Sequence, residues 1–151
     1  MTTIPERVAT FRLSGDCQTG ARTKVSFEDH EVLMDEPPER GGANQGPTPV
    51  ATLLSALVGC TNRFTHRLAD RHGVTIDNLD INMAAKFDRL CMEEDLDLPF
   101  PEIDILIDMT TSADDEAIET IKREVPIFCP VAKVFRQAGT QLNYTWTISR
   151  P

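Results

Sequence analysis

An α+β fold built as one domain over residues 1–151, with antiparallel sheets around one long helix, is what this sequence predicts, on three observations. Strand-like and helix-like segments are grouped rather than alternated: three strands, a long helix, two strands, two short helices and a last strand. The length of 151 residues suits a single core, and two halves would each be too small to bury one comfortably. The segment from Pro49 to His72 carries the strongest helical period in the chain, and the other elements arrange around it.

Residues 7–14 alternate Val8, Thr10 and Arg12 against Ala9, Phe11 and Leu13, the pattern of a half-buried strand that stops at Gly15-Asp16. The alternation returns over 22–28, and Asp29-His30 turns it back into 31–34, which predicts an N-terminal antiparallel meander. Residues 35–47 are rich in proline and glycine and hold neither a helix nor a ladder, so they form a loop delivering the chain to the central helix. Loops of this kind either line sites or simply connect.

Thr48 is placed to cap the helix and Pro49 suits its first position, where a missing N–H costs nothing. His72-Gly73 supplies a basic last turn followed by a residue tolerant of the left-handed conformation. Between these limits Leu53, Leu57, Cys60, Phe64 and Leu68 recur at helical spacing and place Cys60 on the core-facing stripe, with Ser55, Asn62, Arg63, His66 and Asp70 opposite. A helix of about 25 residues would run roughly 37 Å at 1.5 Å per residue, long for so small a domain. An element that overhangs its own domain predicts a partner, and hence a dimer.

Residues 74–88 read as a long strand and 103–110 as another, separated by the acidic, proline-terminated stretch 91–101, an exposed excursion. Ser112-Ala-Asp-Asp115 has capping-box spacing and opens a short helix to about Glu124. Val125-Pro126-Ile127-Phe128 interrupts it. Cys129 then caps a second helix, with Pro130 at its first position, running to Ala138-Gly139. Residues 141–148 have the composition of a final strand.

Net charge is −9, which makes nucleic acid and anionic membrane surfaces poor partners. The first residues contain no apolar leader and no stretch approaches the roughly 18 apolar residues of a membrane span, so the expectation is a soluble cytoplasmic protein. Four cysteines, at 17, 60, 91 and 129, form no CxxC pair and no zinc-type cluster with histidine, so no metal is expected.

Two of them sit where thiol chemistry is favoured. Cys60 has Arg63 one turn on and Arg67 two turns on along nearly the same line, charges that favour thiolate if they turn inward. Cys129 occupies a helix N-terminus, whose dipole and free N–H groups also favour thiolate. A cysteine of the first kind reacts with peroxide to a sulfenic acid, which a second thiol condenses to a disulfide. Two unrelated structural cysteines, each filling a core as a small hydrophobe, are the other reading. His66 and His72 form no recognisable dyad, and His72 suits the helix end as a dipole partner.

The two blocks Glu39-Arg-Gly-Gly-Ala-Asn-Gln-Gly-Pro-Thr-Pro-Val-Ala-Thr-Leu-Leu-Ser-Ala-Leu-Val-Gly-Cys60 and Phe128-Cys-Pro-Val-Ala-Lys133 resemble the OsmC/Ohr family of thiol peroxidases. The resemblance implies an OsmC-like α+β fold in an intertwined homodimer, its long central helices packed back to back. It implies reduction of organic hydroperoxides with no bound cofactor: Cys60 attacks, Cys129 resolves the sulfenic acid as a disulfide, and an external dithiol such as lipoamide reduces it. One departure stands out. The organic-hydroperoxide-resistance branch has a glutamate directly after the proline eleven positions before the first cysteine, and it orients an arginine onto the thiolate. Here that proline is Pro49 and Val50 follows it. An ungapped match puts Thr19 at the arginine's position, three residues before Arg22. Arg22, Arg40 and Arg63 are the candidates to substitute, with Arg22 and Arg63 foremost. The alternative function is a non-catalytic or weakly active redox-sensing or binding dimer that keeps the thiols.

Overall fold

The computed structural model describes residues 7–151, and the chain divides into two compact units, one ending at Leu53 and one running from Leu54 to Pro151. The element order is β1 (Ser14–Cys17), β2 (Thr23–Phe27), β3 (His30–Met34), α1 (Pro49–Arg71), β4 (Asn78–Ala85), β5 (Glu102–Thr110), α2 (Asp115–Phe128), α3 (Pro130–Gln137) and β6 (Gln141–Ser149). The α+β class and the predicted order of elements are those observed.

In the first unit β1, β2 and β3 form the expected antiparallel meander, with Val25 opposite both Gly15 and Val32. The first strand lies later than its alternation suggested. Residues 7–13 have no ladder partner among the described residues, and Phe11 and Leu13 are 70% and 63% exposed, because pairing begins only where Ser14 meets Ser26. Thr19 shapes the β1–β2 turn by accepting from the backbone N–H groups of Ala21 and Arg22.

The loop after β3 is built on Asp35. Its carboxylate is buried and accepts from the backbone N–H groups of Glu36, Ala43 and Gln45 at 3.0, 3.1 and 3.1 Å, and from Arg22 Nε and Nη2 at 3.3 Å each. Burial pushes this carboxyl up, but the three N–H groups and the guanidinium outweigh it and leave Asp35 below the ordinary carboxylate range. Gly42 is required by the same packing, since a β-carbon there would stand 1.8 Å from the Glu36 carbonyl oxygen. The loop ends at Thr48, whose hydroxyl accepts from Ala51 N–H at 3.2 Å and caps α1 as expected.

In the second unit β5 is the central strand, antiparallel to β4 and parallel to β6. The parallel pair departs from the all-antiparallel expectation. The chain leaves β5 and returns through α2 and α3, a crossover long enough to bring the last strand back in the same direction. Ile103, Ile105, Ile107 and Met109 of β5 are buried, as are Leu57, Leu68 and Ala69 of α1, Ile118, Ile121 and Val125 of α2, and Ala132 and Phe135 of α3, and Leu68, Ala69, Val74, Ile121 and Val125 form one cluster. Phe100 leads into β5 and packs between Phe87 and the edge-on ring of Phe135.

Two helix details also differ. The buried face of α1 is Leu57, Thr61, Thr65, Leu68 and Ala69, rotated from the apolar stripe. The threonines can be buried because each hydroxyl donates to the carbonyl one turn back, Leu57 O and Thr61 O, at 2.8 Å. Cys60 and Phe64 consequently lie half-buried at the edge of that face. α2 is capped by Asp114, which accepts from Ala117 N–H at 2.8 Å, and it continues through Pro126 to Phe128. Proline near a helix end forfeits one ladder bond, and the ladder resumes with Cys129 N–H on Val125 O at 3.1 Å. Among the described residues no helix is long and apolar enough to cross a membrane.

Candidate functional site: a thiol pair between two helices

Cys129 is the junction of α2 and α3. Its backbone N–H still belongs to α2, while its extended conformation and the proline after it start α3. As the α3 cap, its sulfur accepts from Ala132 N–H at 3.4 Å. The cap placement is the expected one, but its effect on the proton is not. Desolvation by burial dominates and raises Cys129 above the ordinary thiol range, the hydrogen bond to Cys60 raises it further, and the Ala132 and Val131 N–H groups offset only part.

The Cys129 thiol donates to Cys60 Sγ across 2.9 Å, joining residues 69 positions apart. Both thiols are free. A disulfide bond is about 2.05 Å long, so closing this pair requires an approach of less than about 1 Å. The arrangement is polarised: burial holds the proton on Cys129, and half-buried Cys60 is the acceptor and the more accessible of the two sulfurs.

Tyr144 of β6 completes the surroundings and carried no signal in the sequence beyond a strand-like composition. Its ring packs on the cluster of Leu68, Ala69, Val74, Ile121 and Val125. Its hydroxyl is buried without a hydrogen-bond partner among the described residues. Burial raises its pKa, and proximity to Cys129 adds to that rise.

The arginines divide. Arg63 is exposed on α1, about 60° around the helix from Cys60. Arg22 is engaged with Asp35 in the first unit. Arg40 is ion-paired with Glu36 at 2.8 Å. Arg67 lies over the Phe64 ring at 5.8 Å and Arg71 over the Phe128 ring at 5.4 Å. Of the remaining candidates, His72 contacts Glu124 at 2.9 Å, Cys17 is exposed in β1, and Cys91 lies in the 3₁₀ turn Arg89–Met92.

The second unit thus brings a helix cysteine against a Cys-Pro helix cap, with the two free sulfurs in contact. The chain belongs to the OsmC-like protein family, whose model matches residues 42–145 and so takes in both cysteines. The structure is similar to that of an OsmC-like protein from Mycoplasma pneumoniae, with a TM-score of 0.78 at 16% identity over 93% of this chain and 97% of that one. It is also similar to an organic hydroperoxide resistance protein from Legionella pneumophila, with a TM-score of 0.63 at 12% identity over 95% and 99% of the two chains. The organic hydroperoxide resistance protein OhrB of Bacillus subtilis gives 0.57 at 16% identity over 93% and 98%. Identities this low carry the fold alone. No curated protein matches the chain in sequence.

Proposed function

We propose that this protein is a thiol-dependent peroxidase that reduces organic hydroperoxides, with Cys60 as the peroxidatic residue and Cys129 as the resolving one. The observation that carries the reading is the polarised contact of the two sulfurs at 2.9 Å. The Cys60 thiolate attacks the terminal peroxide oxygen, the O–O bond breaks, and an S–O bond forms. Sulfur is oxidised to sulfenic acid and the alkoxide takes up a proton to leave as alcohol. Cys129 sulfur then displaces the hydroxyl, its proton departing with it as water, and the S–S bond closes. An external dithiol, lipoamide being one example, reduces the disulfide by exchange and becomes a disulfide itself.

An arginine near Cys60 would stabilise its charged sulfur, and Arg22 and Arg63 are the two carried in this reading. The structural likeness to the organic hydroperoxide resistance proteins of Legionella pneumophila and Bacillus subtilis supports the hydroperoxide substrate, and the 23-residue α1 supports a homodimer. The reading includes a cytoplasmic setting, where a dithiol pool is at hand.

The test is to treat reduced protein with one equivalent of an organic hydroperoxide and to map its thiols by mass spectrometry. A Cys60–Cys129 disulfide formed within seconds is the expected result. Free thiols at both positions would overturn the reading. They would favour a redox-sensing or binding dimer, for which Val50, standing where the resistance branch has glutamate, is the specific observation.

A further inference from the structure

Cys129 is the single residue between the last turn of α2 and the first turn of α3, and its extended backbone, with φ −69° and ψ 113°, turns one helix away from the other. A joint of one residue leaves the angle between two helices to whatever bridges them. The α2 side of this joint is thinly packed, with Ile127 and Phe128 45% and 43% exposed. The α2 ladder also runs out there. Val125 O takes the Cys129 N–H at 3.1 Å, and Pro126 O comes next, but its partner in a continuing helix would be residue 130, a proline with no N–H to give.

Arg136 fills that place. From the last turn of α3 its Nη1 donates to Pro126 O at 2.7 Å, a charge-assisted bond to the negative end of α2. Ala132 and Phe135 anchor α3 in the core, and Arg136 ties its exposed side back across the joint. The Cys129 sulfur belongs to the α3 side, since it accepts from Ala132 N–H at 3.4 Å, whereas its partner sulfur stands on α1. The angle between α2 and α3 therefore decides where the Cys129 sulfur stands against Cys60.

Disulfide geometry is specific, with an S–S length of about 2.05 Å and a preferred torsion, so a small swing of the joint is felt at the bond. We infer that Arg136 is a positioning residue for the thiol pair: its bond to Pro126 holds the α2–α3 joint at the angle that keeps Cys129 within bonding reach of Cys60. The inference rests on the peroxidase reading for the turnover it serves, and on the joint alone for the closing of the disulfide.

That closing is measured without peroxide, by equilibrating the full chain with oxidised and reduced glutathione. The two thiols give up two protons and two electrons as the S–S bond forms, and oxidised glutathione takes them up and leaves as two thiols. Arg136 is exposed, so Arg136→Ala removes the bond without opening a cavity. Loss of one charge-assisted hydrogen bond predicts an equilibrium constant for closing about tenfold lower. Arg136→Lys, which still carries a cationic donor, is expected to recover most of it, and Gln137→Ala, beside it on the exposed end of α3, to equal wild type. In turnover, the attack of Cys60 on hydroperoxide keeps its rate in Arg136→Ala while the sulfenic acid lasts about tenfold longer. An unchanged constant in Arg136→Ala, a fall in Arg136→Lys or Gln137→Ala as large as in alanine, or attack and resolution slowed alike would each overturn the inference. If wild type consumes no hydroperoxide, the peroxidase reading fails, and the glutathione equilibrium by itself decides whether Arg136 positions the pair.

Discussion

Cys129 donates its thiol proton to Cys60 across 2.9 Å, from a position with no solvent exposure to one that is half-buried. The two sulfurs are therefore chemically unequal before any reagent arrives. That inequality is what the proposed roles of nucleophile and resolver rest on.

Substitution of the two cysteines should separate those roles. Cys60→Ser is expected to reduce hydroperoxide turnover to the background of free thiol, because the nucleophile is gone. Cys129→Ser should leave sulfenic acid on Cys60, which excess peroxide carries on to the sulfinic form, seen as stepwise mass gain of one and then two oxygens. Equal turnover by wild type and Cys60→Ser would point to the non-catalytic reading.

The raised Cys129 pKa has a consequence for alkylation. In reduced, folded protein at neutral pH, iodoacetamide should label exposed Cys17 and leave Cys129 unmodified, with Cys129 becoming labelled only on unfolding. Because the folded pKa lies above the ordinary 9.0, the unfolded thiol ionises first. Stability should therefore fall as pH climbs past 9.0, and fall less in Cys129→Ala. Denaturant midpoints across that range provide the check.

Asp35 behaves in the opposite sense. Its folded pKa lies below the ordinary 3.8, so the stability it contributes is fully present above that pH and is lost as pH falls through the folded value. Asp35→Asn should lower the melting temperature at neutral pH, and the gap to wild type should close in strong acid. A gap unchanged by acid would mean that the carboxylate's charge is not what holds the loop.

Tyr144→Phe should raise stability by about 1 kcal/mol, since it removes a buried hydroxyl that finds no partner among the described residues. A loss of similar size in thermal unfolding would reveal that the hydroxyl is engaged.

Gly42→Ala should cost about 1–3 kcal/mol, the usual range for forcing an atom into filled space. The added methyl would meet the Glu36 carbonyl at 1.8 Å, and backbone cannot swing aside as a flexible side chain can. A melting temperature equal to wild type would show that the Asp35 loop relaxes freely.

Much of this was legible from local signals. Thr48-Pro49 and His72-Gly73 bounded α1, and Cys129-Pro130 opened α3, because a cap, a proline and a left-handed glycine each act within a single helical turn. The two cysteine blocks pointed to the family whose model the chain matches. The alternation over residues 7–13 misled, since a strand exists only where another chain segment supplies its ladder. Pro126 misled in the other direction, because losing one hydrogen bond near a helix end does not break a helix packed through Ile121 and Val125.

By itself the sequence determined where α1 and α3 begin and end and which thiols sit on them. Only the tertiary structure decided that Thr61 and Thr65 face the core, that β6 runs parallel to β5, and that Cys60 and Cys129 touch. Above all it decided which of the two sulfurs keeps the proton. The reason is physical: capping and periodicity are properties of neighbours in the chain, whereas burial and desolvation depend on which distant segments close over a residue, and for Cys129 that burial outweighs the helix terminus beneath it.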